Sequence, residues 1–95
     1  MNNLSEVYRW NPKIACRTIE QTAFILFQSQ MVSLNDVGSF VWEYFKEPSS
    51  IRNAVAAVTE EFETTPKEAT NDVDAFVAQL VERQLLVECT AVAST

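Results

Sequence analysis

The side chains that could carry out chemistry in this chain are carboxylates and thiols, because the sequence contains no histidine. Glu60, Glu61 and Glu63 form an acidic cluster, but such runs are usually solvated helix faces and rarely provide the geometry that a metal ion needs. Asp72 and Asp74 lie two residues apart, which places them on different faces of a helix. The carboxylates therefore predict neither an acid–base pair nor a metal site.

The two cysteines, Cys16 and Cys89, offer little more. A pair of thiols without histidine is a poor zinc site, and the chain does not resemble a small disulfide-bonded secreted scaffold. Neither cysteine has a pattern of partner charges that suggests a nucleophile. We expect both thiols to be reduced and structural. No phosphate-binding loop is present, so we predict that the protein is not an enzyme and has no cofactor.

Composition narrows the class of protein. The chain has 95 residues, of which 47% are hydrophobic and 21% charged, as expected for one folded domain spanning residues 1–95. Its formal charge is −6, which is the wrong sign for a surface that binds phosphates. The N-terminus lacks the features of a signal peptide, and no apolar run is long enough to span a membrane. These features favour a cytoplasmic protein that binds neither nucleic acid nor membranes.

The elements that would position any site follow from residues 31–45, where an extended apolar segment gives way to a helix. Asn35 can cap a helix that runs over residues 36–45, in which Phe40 and Val41 belong to an apolar stripe and Trp42 lies on its flank. Upstream, β-prone segments at residues 13–20, 23–28 and 31–34 predict a three-stranded antiparallel meander, with its last turn at Ser29 and Gln30.

Two further helices are expected downstream. Serine caps at residues 49–50 begin the second, whose stripe ends at Phe62, and the Thr65-Pro66-Lys67-Glu68 capping box begins the third. Residues 85–87 could form a short closing strand, residues 1–10 a polar lead-in, and residues 90–95 a frayed tail. The regular part would span residues 11–88. The predicted fold class is α+β, a winged-helix-like domain with a three-stranded antiparallel sheet followed by three helices.

This ordered set of residues resembles the coenzyme PQQ synthesis protein D (PqqD) family. The similarity rests on Asn11-Pro12, on Leu34-Asn35 followed by Gly38 and Val41-Trp42, and on Asp72-Val73, Phe76-Val77, Leu80 and the terminal Leu85-Leu86-Val87. It covers residues 11–88, although each motif is common when taken singly.

The resemblance implies a peptide-recognition domain. Members of the family bind the leader segment of a ribosomally made precursor peptide and present it to a modifying enzyme, often a radical SAM protein. The leader adds a strand to the third β-strand and rests against the third helix, a mode in which backbone bonds supply affinity and side-chain pockets supply selectivity. The implied peptide-binding residues are Gln30, Met31, Val32, Ser33, Leu34, Asp72, Val73, Phe76, Val77 and Leu80.

Two alternatives from other classes remain at the level of sequence. A winged-helix transcription regulator would read DNA with its third helix, but Glu68, Asp72, Asp74 and Glu82 on that helix would repel phosphates. A small structural subunit that binds a protein partner is the other alternative. The Val73, Phe76, Val77 and Leu80 stripe would then be ordinary helix packing.

Overall fold

A computed structural model describes residues 6–89 and confirms the α+β class. The predicted frayed tail lies outside the described residues. In chain order, the elements are β1 (Val7–Trp10), β2 (Cys16–Ile19), β3 (Thr22–Phe27), β4 (Gln30–Ser33), α1 (Asp36–Tyr44), β5 (Ser49–Ser50), α2 (Ile51–Glu61), α3 (Pro66–Glu82) and β6 (Leu86–Glu88).

The predicted meander is present as the antiparallel sheet β2-β3-β4. Its first strand begins three residues later than predicted, at Cys16. The turn between β3 and β4 is formed by Gln28 and Ser29, not by Ser29 and Gln30, because a tight two-residue turn of this kind needs positive φ at both residues. Gln28 and Ser29 have φ values of 53° and 67°, and Gln30 already belongs to β4.

A second sheet, with the order β5-β1-β6, was not predicted from the sequence. The interpretation of residues 1–10 as a polar lead-in is wrong for Val7–Trp10, which form the central strand of this sheet. The predicted closing strand exists as β6, but it pairs antiparallel with β1 and not with the meander. Trp10 N–H also donates to the Phe45 carbonyl at 3.1 Å, which ties this sheet to the end of α1.

The helix starts follow the predicted caps closely. Asn35 Oδ1 accepts from Gly38 N–H at 2.7 Å, Ser50 Oγ from Asn53 N–H at 3.1 Å and Thr65 Oγ1 from Glu68 N–H at 3.1 Å. Each bond satisfies an amide that the first helical turn leaves without a backbone partner. Pro66 occupies the first turn of α3, where its missing N–H costs nothing.

The core forms where α1 covers β3 and α2 packs along α3. Trp42, on the flank of the apolar stripe of α1, lies at the centre of this core, since its side chain is 0% exposed. Trp10 stacks on it with ring centroids 4.9 Å apart, and the Trp10 Nε1–H donates to the Trp42 carbonyl at 2.7 Å. Phe62 caps the end of α2 and is only half-buried. The stacked pair of Trp10 and Trp42 fixes the second sheet to the core.

Candidate functional site

Strand β4 forms one edge of the meander, so one row of its backbone groups faces away from the sheet. All four of its residues are exposed. In an antiparallel ladder, alternate residues of a strand bond to the same neighbour. Leu34 N–H donates to the Ala23 carbonyl at 3.0 Å, which sets the phase of that alternation. Gln30, Val32 and Leu34 therefore bond toward β3, whereas the N–H and C=O groups of Met31 and Ser33 point outward from the edge.

The side chains of β4 alternate between two faces of the sheet. Val32 pairs with the buried Ile25 and so lies on the inner face, toward α3. Met31 pairs with Leu26 on the outer face, where both side chains are exposed. Of the predicted apolar edge residues, Val32 and Leu34 therefore line the space between sheet and helix, and Met31 contributes its backbone edge and an outward-facing side chain.

Two adjoining cavities separate β4 and α1 from α3. The wider has a volume of about 490 Å³ and includes Asp72 in its lining, and the narrower has a volume of about 110 Å³ and includes Arg83. Both are lined by Leu34 and Phe76, so the two cavities adjoin, and we take them together as one depression. We call this depression the β4–α3 groove and define it by Val32, Leu34, Gly38, Asp72, Phe76 and Arg83. It runs directly beside the exposed edge of β4.

Gly38 gives the wide end of the groove its depth. A Cβ atom at this position would lie 3.5 Å from the Leu34 Cβ and 3.5 Å from the Phe76 Cζ, so it would occupy the space between these two groove walls. It would also come within 2.9 Å of Asn35 Oδ1, the atom that caps α1. Glycine therefore keeps the floor of the groove open and the helix cap intact at the same point.

The structure divides the predicted residues of α3 into two sets. Asp72 is exposed and Phe76 half-buried, and both line the groove, while Val73 and Leu80 are almost fully buried at its base. Val77 is 0% exposed and lines neither cavity. Its side chain belongs to the core, because positions 69, 73, 77 and 80 face inward on this helix. We therefore leave Val77 out of the candidate site.

Among the residues that the sequence did not identify as site residues, α3 and its C-terminal cap contribute Gln79 and Arg83 to the groove. They continue the helical face of Asp72 and Phe76 at spacings of three and four residues, and this periodicity is the signal that could have found them. Arg83 lies over the Phe27 ring, with its guanidinium carbon 5.9 Å from the ring centroid. The groove thus has an anionic end at Asp72 and a cationic end at Arg83.

The described residues contain little that could support catalysis. Between residues 6 and 89, no group of three or more His, Cys, Asp or Glu side chains could hold a metal ion, and no helix could cross a membrane. Cys16 and Cys89 are free thiols. Burial raises the pKa of the Cys16 thiol above its usual range, against the smaller opposing effect of the Trp42 side chain. Cys16 is thus a poor nucleophile near neutral pH.

The fold and the groove define a small α+β domain whose open sheet edge borders a helix. The chain belongs to the coenzyme PQQ synthesis protein D (PqqD) family, whose sequence model matches residues 20–86. This confirms the resemblance found in the sequence, over a shorter span than the one inferred there. Strands β1 and β2 lie before the matched segment.

Two solved structures share the fold. A structure described as TbiB1 in complex with the TbiA(beta) leader peptide is 20% identical, with a TM-score of 0.74 over 82% of this chain and 93% of that one. A lasso peptide synthetase B1 complexed with the leader peptide is 21% identical, with a TM-score of 0.72 over 84% and 96% of the two chains. No curated protein matches the sequence.

Proposed function

We propose that this protein binds the leader segment of a ribosomally made precursor peptide along β4 and presents it to a modifying enzyme. The observation that carries the proposal is the exposed edge of β4 beside the β4–α3 groove. An extended peptide added to such an edge gains backbone hydrogen bonds, and every second side chain enters the groove. Membership of the PqqD family supports the proposal, as do the leader-peptide complexes formed by two proteins of the same fold.

The contacts of the peptide follow from the alternation of β4. Its backbone would bond to the outward-facing groups of Met31 and Ser33. Its groove-side residues would contact Val32, Leu34 and Phe76, whose lining is mainly apolar. Backbone hydrogen bonds between the peptide and β4 form whatever the sequence of the peptide. The side chains that line the groove would therefore provide the selectivity.

The proposed role is that of an adaptor without catalytic activity. The modifying enzyme supplies the chemistry, and a radical SAM protein is the partner that the family resemblance implies. Whether the product is the PQQ cofactor or another modified peptide depends on the precursor. A cytoplasmic location agrees with this role, since precursor peptides are made there.

Two rival functions receive less support. A DNA-binding role would place α3 against phosphates, although Glu68, Asp72 and Glu82 are exposed on that helix and the chain carries a charge of −6. A structural subunit that only contacts a folded partner would not require an open sheet edge beside a groove. Neither rival accounts for that arrangement as directly as peptide binding does.

The proposal is tested by titrating the isotope-labelled domain with synthetic peptides that correspond to short reading frames beside its gene. We expect amide shifts at residues 30–34 and on the groove face of α3, at residues 72–83. Shifts confined to α2, or an absence of binding to every neighbouring precursor, would contradict the proposed function. Salt-sensitive, sequence-selective binding of duplex DNA would favour the transcription-regulator alternative instead.

A further inference from the structure

The two charged residues of the β4–α3 groove lie at its opposite ends. Asp72 lines the wide cavity together with Ser33 and Leu34, and Arg83 lines the narrow cavity together with Phe27 and Val32. Among the described residues that line each cavity, these are the only charged side chains. The rest of the lining is apolar or uncharged, so the groove has an electrostatic direction along β4.

The position of Arg83 is fixed by two separate interactions. Its backbone N–H donates to the Gln79 carbonyl at 3.1 Å at the carboxyl end of α3, where a positive charge also suits the helix dipole. Its guanidinium group rests over the Phe27 ring. Glu82 and Arg83 both line an adjacent surface with Gln28 and Gln84, but of these two charged residues only Arg83 also lines the groove. A cation is thus held at the narrow end.

The separation of the two charges can be compared with the length of an extended peptide. Asp72 and Arg83 are eleven positions apart on one helix, which corresponds to roughly 16 Å at about 1.5 Å per residue. An extended peptide covers that distance in about five residues. Because side chains alternate along a strand, two of them lie on the same side only when they are an even number of positions apart. The two side chains that match Asp72 and Arg83 would therefore be about four or six positions apart.

We propose that the groove selects leader segments with a basic side chain at the Asp72 end and an acidic side chain at the Arg83 end, with apolar groove-side residues between them. This inference rests on the proposed function. Antiparallel pairing with β4, the more stable geometry, brings the amino-terminal part of the peptide to Asp72. The basic residue then precedes the acidic one in the leader sequence. Asp72 and Arg83 therefore determine specificity and direction, while the edge of β4 supplies sequence-tolerant affinity.

The test uses a display library of random twelve-residue peptides, selected on the immobilised domain. The wild type is compared with the double variant Asp72→Lys/Arg83→Glu, which exchanges the charges at the two ends. The matched control is Glu60→Lys/Arg17→Glu, which makes the same charge changes at exposed positions of α2 and β2 outside the groove. Both double variants keep the net charge of the wild type, and a thermal melt establishes that each is folded.

We expect the wild type and the control to enrich peptides in which a basic residue precedes an acidic one by four or six positions. The charge-exchanged domain should enrich the opposite order, and each peptide should bind its mismatched domain about tenfold more weakly, as two exposed ion pairs are replaced by repulsions. The same preference in all three proteins would overturn the inference. In that case the proposed function would still stand if binding of the enriched peptides depends on the β4 edge. If the selection enriches no peptide whose binding depends on that edge, the proposed function falls together with the inference.

Discussion

The Ser39 hydroxyl donates a hydrogen bond to the Leu34 carbonyl at 3.2 Å, at the point where β4 ends and α1 is about to begin. The same oxygen accepts from Ala23 N–H at 2.9 Å. Ala23 and Leu34 also share a direct bond from Leu34 N–H to the Ala23 carbonyl. The hydroxyl thus completes the last rung of the β3–β4 ladder and attaches α1 to the strand that forms the open edge.

Ser39→Ala should destabilise the domain by about 1–3 kcal/mol, because it leaves an amide and a carbonyl without this partner in a buried place. Ser33→Ala, at an exposed position of β4, should change the free energy of unfolding by less than about 0.5 kcal/mol. Denaturant melts of both variants provide the measurement. Equal stability of the two variants would mean that the Ser39 hydroxyl does not hold the rung together.

The aromatic core provides a second prediction. Trp42→Ala should cost about 3–5 kcal/mol, since the side chain is fully buried and stacked on Trp10. Phe40→Ala should cost clearly less, because Phe40 is only half-buried and meets Phe62 at its edge. Urea unfolding of the two variants would reveal the order. A loss below about 1 kcal/mol for Trp42→Ala would require the core to be placed elsewhere.

Local sequence signals were enough to predict some of these structural features and not others. The caps at Asn35, Ser50 and Thr65 were predictable because each depends on a side chain and an amide three residues later. Strand β1 was not, because Tyr8 and Trp10 find their partners in β6, at the far end of the described chain. The helical periodicity of α1 placed Trp42 on the flank of the apolar stripe. It could not show that Trp10 of the second sheet stacks on that flank.

The candidate site was predictable to a similar extent. The resemblance to the PqqD family indicated β4 and α3, and the structure brings these two elements to one groove. It could not separate Phe76, which faces the groove, from Val77, which faces the core one position later. It also missed Arg83, whose place depends on Phe27 at the end of β3 and on Gln28 in the turn that follows.

That division of α3 predicts opposite behaviour for two charge substitutions. Val77→Asp should unfold the domain, because it places a carboxylate in a fully buried site without a partner. Val32→Asp puts the same charge on a partly exposed side chain in the groove, so the fold should survive while peptide affinity falls by about tenfold or more. Circular dichroism and a binding titration separate the two effects. A folded Val77→Asp variant would contradict the assignment of Val77 to the core.

The second sheet gives a pH-dependent prediction. Burial, followed by the hydrogen bond to Glu6 and the charge of that residue, raises the pKa of Tyr8 to about 12 from its ordinary value of 10.0. Between these two values the unfolded chain loses the phenol proton first, so stability should be intact below about pH 10 and fall as the pH rises toward 12. Tyr8→Phe should remove this part of the slope, as measured by denaturant melts from pH 9 to 12, and Tyr44→Phe serves as the control. An unchanged slope in Tyr8→Phe would rule out Tyr8 as its source.

The central claim is that the backbone edge of β4 accepts a peptide strand, and one pair of variants at Met31 tests it most directly. Met31→Pro removes an N–H that points away from β3, so the ladder to β3 is retained, whereas Met31→Ala removes the side chain and keeps the N–H. The measurement is the affinity of both variants and the wild type for the neighbouring precursor peptide, with a thermal melt of each. We predict that Met31→Ala binds within a few-fold of the wild type and that folded Met31→Pro binds at least about tenfold more weakly, as expected for a lost backbone bond. Wild-type affinity in a folded Met31→Pro domain would contradict peptide pairing at this edge.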